Sequence, residues 1–275
     1  MPRLAANLAF MFTEVPFLDR FEEARRAGFT AVEYAFPYQY PATALSSRLE
    51  AQGLEQATIN FPPGDWKAGD RGLASHPGRE HEFAASVVTA LRYAQALKCP
   101  RAHVMAGRLP PDLDEQERKR YRSTFVRNLR FAAREAADQG VVLSIEPINH
   151  GDSPGYLLTT QAEAHAIREE VGMPNLRVQF DIYHTQIVEG NLSEKLRRWM
   201  PYIEHIQIAG VPGRHEPDDG EINYPYLFRL IDELGYKNWV GCEYRPANGT
   251  HAGLKWAEAW GVKAQENSAA LPSRV

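Results

Sequence analysis

Four segments of this chain end in a side chain that carries oxygen. Residues 141–145, Val-Val-Leu-Ser-Ile, run into Glu146; residues 175–180 run into Asp181; residues 202–206 lead to Gln207; residues 238–242 run into Glu243. Pro147 stops any helix directly after Glu146. Runs apolar on both faces suit buried parallel strands. One strand-end carboxylate ordinarily points at water, but four strand ends in succession are better explained by a shared cavity. Three carboxylates and an amide oxygen suit a hard or borderline divalent cation, Mg²⁺ or Mn²⁺. Without a cation, carboxylates that close would repel one another.

Other polar residues fall within reach of the same end of the molecule. His184 follows Asp181 by three positions and could hydrogen-bond a substrate oxygen; its plainer role is a loop or helix-start histidine. His103 lies in an apolar run and reads more readily as an interior histidine than as a substrate contact. Arg71 and Arg214 sit in two long Gly- and Pro-rich loops, 61–72 and 210–220, where a guanidinium could hold a substrate carboxylate. The alternative for both is a solvated surface charge. There is no trustworthy Ser-His-Asp arrangement, no phosphate-cradling Gly-rich loop ending in Lys-Ser/Thr, and no Cys-x-x-Cys.

The elements that must position these groups follow from periodicity. Strands are expected at 4–10, 31–35, 54–60 and 101–105, ahead of the four already named. Helices are expected at 17–27, 43–52, 79–97, 114–137, 160–170, 194–200, 224–234 and 252–260. Gly28, Gly53 and Gly235 stop three of them, and Ser193 is the expected cap of the sixth. Eight strand–helix units predict an α/β fold, a single (β/α)8 TIM barrel, spanning 1–264, with a frayed tail at 265–275. In such barrels the functional groups gather at the C-terminal ends of the strands.

Composition narrows the partners. The chain has 275 residues, 44% hydrophobic, enough for one large core. Its formal net charge of −4 offers no broad attraction to nucleic acid or to an anionic membrane. No apolar run reaches spanning length, and 4–12 reads as a first strand rather than a signal peptide. Cys99 and Cys242, both in apolar surroundings, fit buried free thiols in a reducing cytoplasm better than a disulfide. The expected partner is a small molecule, and self-association into a homo-oligomer stays open.

Several stretches together carry a family likeness: Ala5-Ala6-Asn7-Leu8, residues 62–66 and 68–72, residues 77–80, Ile145-Glu146-Pro147-Ile148-Asn149, Asp181-Ile182-Tyr183-His184, residues 220–224 and Gly241-Cys242-Glu243-Tyr244. Over nearly its whole length the chain resembles the hydroxypyruvate isomerase family of xylose-isomerase-like barrels. That resemblance implies an aldose–ketose isomerase working through an enediol, with Glu146 and Glu243 as the proton-transferring pair. Similarity to the related ketose 3-epimerases implies metal ligation by Glu146, Asp181, Gln207 and Glu243. Those epimerases carry His where this chain has Gln207, and an amide oxygen is the weaker ligand for a borderline metal.

Two branches of the family compete. The Ile-Glu-Pro-Ile-Asn and Asp-Ile-Tyr-His segments look like hydroxypyruvate isomerase proper, which interconverts hydroxypyruvate and 2-hydroxy-3-oxopropanoate. Residues 11–17, 103–107 and 214–220 look more like 2-oxo-tetronate isomerase. The strand-end motifs place the three-carbon substrate slightly ahead. A sugar 3-epimerase, a non-catalytic sugar-acid binding protein, and the DNA-repair endonuclease of the same superfamily are the remaining readings. The last would require several metal-binding histidines and a basic surface.

Overall fold

The computed structural model describes residues 1–264, so the expectation of a frayed tail at 265–275 lies outside the described residues. Nine short strands are present: β1 Arg3–Asn7, β2 Ala31–Glu33, β3 Glu55–Gln56, β4 Ile59–Asn60, β5 Arg101–His103, β6 Val142–Ile145, β7 Leu176–Asp181, β8 Ile203–Ile208 and β9 Trp239–Cys242. Their spatial order is β3-β2-β1-β9-β8-β7-β6-β5-β4, and every pairing is parallel. The sheet curls into a nearly closed TIM barrel with helices between the strands. Parallel neighbours need crossovers, and helices wrapped outside bury the outer face of each strand.

The strand expected at 54–60 is split. β3 pairs with β2 and β4 pairs with β5, with Ala57 and Thr58 between them. Backbone bonds from Ala57 N–H to Val32 O and from Asn60 N–H to Ala35 O, each 2.8 Å, tie both halves to the second stave and all but close the ring.

The helices are α1 Arg20–Arg26, α2 Ala42–Gln52, α3 Glu80–Ala96, α4 Glu115–Ala137, α5 Gln161–Val171, α6 Ile182–Val188, α7 Leu192–Trp199 and α8 Tyr224–Glu233; the segment Ala252–Trp260 is 3-10 helix rather than α. Reciprocal capping boxes start α4 (Asp114 with Glu117) and α5 (Thr160 with Glu163). Ser193 does not cap α7. The helix begins earlier, behind Asn191, with no side-chain cap. α6 has no counterpart in the periodicity. It is only seven residues long, and Asp181 caps it by accepting from the N–H groups of Tyr183 (2.7 Å) and His184 (3.3 Å).

Strand alternation decides what faces the barrel axis. Gln179 and Asp181 share a face of β7, and a register shift between Val178 and Gln179 sets them opposite His205 and Gln207 of β8. Gly241 lies on the same inward side of β9 as Glu243. A Cβ there would run into the Glu33 carboxylate, so only glycine leaves that carboxylate room to cross the barrel. Cys99 and Cys242 are buried and free. Among the described residues no helix is long and apolar enough to cross a membrane.

Candidate active site

Glu146 directly follows β6, Asp181 ends β7, Gln207 is the penultimate residue of β8, and Glu243 directly follows β9. The barrel therefore delivers all four to its C-terminal end. Glu146, Asp181, His184 and Glu243 each offer an oxygen or nitrogen within 4.8 Å of the others. Gln207 is adjacent but engaged: its Oε1 accepts from Gln179 Nε2 at 2.6 Å and its Nε2 donates to Glu33 Oε1 at 2.8 Å.

Glu146, His184 and Glu243 border a cavity of about 540 Å³, also lined by Phe10, Phe36, Trp66, Arg71, His103, Asp152, Arg214 and Arg245. Its floor is acidic and dry. Burial pushes Glu146 well above the usual carboxylate range, and the neighbouring Glu243 and Asp181 push it further. Burial also raises Asp181 and lifts Glu243 to about 8, with Arg214 pulling both the other way. These are the shifts expected of like charges crowded out of water.

The counter-charge is Arg214. It is buried, and its guanidinium lies 2.5 Å from Glu243 Oε2, 2.8 Å from Asp152 Oδ2 and 3.7 Å from Asp181 Oδ2. Burial works against its charge, but Glu243, Asp181 and Asp152 outweigh that and hold its pKa above the ordinary arginine value. Its backbone sits in the left-handed region, at φ 55°. Arg71 is placed differently. It stacks on Trp66, 3.6 Å from the ring centroid, and its Nη1 donates to the carbonyls of Asp70 and Trp66 at the cavity mouth.

Burial favours the neutral form of both histidines. Burial drives His103 and His184 down to about 3. His103 Nδ1 is 3.4 Å from Glu146 Oε2, and neither ring nitrogen has a hydrogen-bond partner among the described residues. His184 Nδ1 meets Asn149 Nδ2 at 2.7 Å.

Beneath this layer lie residues that strand-end reading passed over. Asn7 Nδ2 donates to Glu33 Oε1 at 2.9 Å and to Glu243 Oε1 at 3.1 Å. Glu33 Oε2 in turn meets His205 Nε2 at 2.5 Å. Asn7 and Glu33 are the final residues of β1 and β2, so the signal that marks Glu146 was present for them too. A first strand read as 4–10 runs past Asn7 and conceals it. Asp152 and Arg245 sit in loops and carry no such signal.

Comparison with known proteins sets this geometry in context. A family model described as "Xylose isomerase-like TIM barrel" matches residues 21–260. The chain is 56% identical over 260 residues to "2-oxo-tetronate isomerase" of Cupriavidus necator, an alignment covering 94% of this chain and 99% of that one. It is 44% identical over 260 residues to "Hydroxypyruvate isomerase" of Escherichia coli, covering 94% and 100%. A Brucella melitensis crystal structure titled "AP endonuclease, family 2" superposes with a TM-score of 0.92 at 46% identity, covering 95% and 100%.

Proposed function

The chain belongs to the xylose isomerase-like TIM barrel family and is an enzyme of the isomerase class, and on that premise we propose that it moves a carbonyl between neighbouring carbons of a four-carbon 2-oxo sugar acid. The single observation that carries the reaction type is the pair Glu146 and Glu243, brought together from strands separated by β7 and β8. The four-carbon substrate is favoured by the higher identity to the 2-oxo-tetronate isomerase, 56% against 44%. Hydroxypyruvate is the second reading, favoured by the Ile-Glu-Pro-Ile-Asn and Asp-Ile-Tyr-His segments. An endonuclease is disfavoured: among the described residues His184 alone joins the acidic cluster, and the net charge is −4.

The reaction takes a proton from the hydroxyl-bearing carbon beside a carbonyl and returns one to the former carbonyl carbon, through an enediol, while a second proton passes from the hydroxyl oxygen to the former carbonyl oxygen. A base must reach one carbon and an acid the other. Glu146 and Glu243 divide that work. Both are raised above the ordinary carboxyl range, so each holds a proton more readily than an exposed glutamate, as an acid–base pair requires. Glu243 is aimed by hydrogen bonds to both oxygens, from Asn7 and from Arg214. Arg71 at the mouth holds the substrate carboxylate, while the acidic floor takes the carbonyl and hydroxyl end. Arg214, already saturated with carboxylates, serves as internal counter-ion.

The donor set fits a divalent cation. Three carboxylates, Glu146 and Asp181 buried and Glu243 partly so, raised chiefly by burial and offset by one arginine, are suited to Mg²⁺ or Mn²⁺, with Gln207 adjacent. When bound, such an ion polarises the substrate oxygens as a Lewis acid. A reducing cytosol is the proposed setting, supported by two buried unpaired thiols.

The test is a side-by-side NMR assay of isomerisation on a 2-oxo-tetronate and on hydroxypyruvate. A kcat/KM at least about tenfold higher for the four-carbon acid, roughly 1.4 kcal/mol in the transition state, is expected. The reverse ranking restores the three-carbon reading, and no turnover of either discards the sugar-acid assignment.

A further inference from the structure

The loop after β6 meets α6 at a pair of side chains that the proton steps do not use. Asn149 Oδ1 lies 2.9 Å from the backbone N–H of Asp152. A backbone N–H can only donate, so that end of the amide is the oxygen. The other end, Nδ2, is 2.7 Å from His184 Nδ1. An amide nitrogen likewise only donates, so His184 Nδ1 is an acceptor and carries no proton. Asp152 is no rival partner: its Oδ2 is 3.9 Å from Nδ1, beyond hydrogen-bond range, and is taken by Arg214 at 2.8 Å. An Nδ1 that accepts cannot belong to the doubly protonated ring, so the imidazole is in its neutral form. A neutral imidazole has one N–H, which is left to Nε2. Nε2 lies 3.5 Å from Asp181 Oδ2, and the ring lines the cavity shared with Glu146 and Glu243.

We propose that Asn149 is a positioning residue that locks His184 in its Nε2–H tautomer, so that His184 donates a hydrogen bond to a substrate oxygen and does not ligate a metal ion. Ligation through Nε2 needs its lone pair, which would move the proton to Nδ1, against the Asn149 amide N–H₂. Turning the amide over to accept that proton would set its N–H₂ against the Asp152 N–H. Either arrangement places two donors head to head, in the first case fully buried and in the second part-buried, with the desolvation cost of an unmade bond. His184 therefore stays in the cavity wall as a neutral donor beside the carboxylates that suit a cation. The donor role rests on the isomerase reading; the tautomer rests on the hydrogen bonds alone.

The test is a two-bond ¹H–¹⁵N correlation spectrum of the full chain labelled at histidine, near neutral pH, with His184 assigned by its loss in His184→Asn. The expected spectrum has the proton on Nε2 and a bare Nδ1, unchanged by saturating Mg²⁺. A proton on Nδ1, or its transfer there when Mg²⁺ is added, overturns the proposal. Asn149→Asp sets an acceptor against Nδ1. It should reverse the tautomer and lower kcat by roughly ten- to a hundredfold, the scale on which a histidine's orienting partner acts, with KM little changed. Retention of the Nε2–H tautomer in Asn149→Asp overturns the lock, and wild-type turnover with a reversed tautomer overturns the donor role. If Asn149→Asp does not fold, the wild-type spectra with and without Mg²⁺ still decide. A wild type inactive on both acids would remove the donor role along with the functional reading, and the spectrum would still decide the tautomer.

Discussion

The Arg214 guanidinium and the Glu243 carboxylate form a 2.5 Å ion pair in the floor of the cavity, with Asp152 on the same guanidinium at 2.8 Å. This pairing supports the proposed role of Arg214 as an internal counter-ion to the acidic floor. Arg214→Ala leaves the crowded carboxylates uncompensated, so their pKa values rise further. The ascending limb of the pH–rate profile should move to higher pH and kcat should fall. Breaking a buried pair should also cost about 3–5 kcal/mol of stability, measured by urea denaturation. An unshifted pH profile with normal kcat would remove Arg214 from this role.

Glu146→Gln and Glu243→Gln keep side-chain shape while abolishing proton transfer. Each should lower kcat by roughly a hundredfold or more. Solvent-deuterium incorporation at the substrate carbon, followed by NMR, should fall with it. Wild-type exchange and turnover in both variants would sink the paired-glutamate mechanism.

Arg71 faces the mouth with its guanidinium stacked on Trp66 and, among the described residues, hydrogen-bonded to the carbonyls of Trp66 and Asp70. Arg71→Ala should weaken binding of an anionic substrate by about 1.5–3 kcal/mol, roughly ten- to a hundredfold. The loss should appear mainly in KM. Unchanged KM for both acids would mean that the carboxylate is held elsewhere.

Removing divalent cations with a chelator should reduce turnover to near background, and Mg²⁺ or Mn²⁺ should restore it, because a cation offsets the crowding of Glu146, Asp181 and Glu243 and polarises the substrate oxygens. Full activity in stripped protein with chelator present would eliminate an obligatory ion.

On helix α5, His165 is buried against Trp199, with ring centroids 4.6 Å apart and neither ring nitrogen partnered among the described residues. Burial lowers its pKa to about 3, with Arg168 and Arg198 adding to the shift. A histidine depressed in the fold contributes stability above its unfolded pKa of about 6.5, and loses it as the unfolded chain takes up protons on acidification. Between pH 7 and pH 5 this group alone should cost about 2 kcal/mol. His165→Phe should raise Tm and flatten its decline over that interval. Calorimetry showing the same acid slope in both proteins would refute it.

The barrel and most of its site were legible in the sequence because their causes are local. A buried parallel strand must be apolar on both faces, so its run of Val, Ile and Leu is visible, and Glu146, Asp181 and Glu243 each interrupt such a run at its end. Capping at Asp114 and Thr160 is likewise a matter of a few adjacent residues. The break at Ala57–Thr58, the 3-10 geometry of Ala252–Trp260 and the existence of α6 were not legible. Each depends on packing or on a cap, such as Asp181, whose strand role masks it. The tertiary structure alone decided what each polar group is bonded to. Asn7 reaches Glu243 across 236 positions, Glu33 reaches His205 across 172, and Asn149 reaches His184 across 35. Periodicity reports only which face of an element is dry. Charge state, amide orientation and imidazole tautomer are set by the groups that the closed barrel brings within about 3 Å, and by the water it excludes.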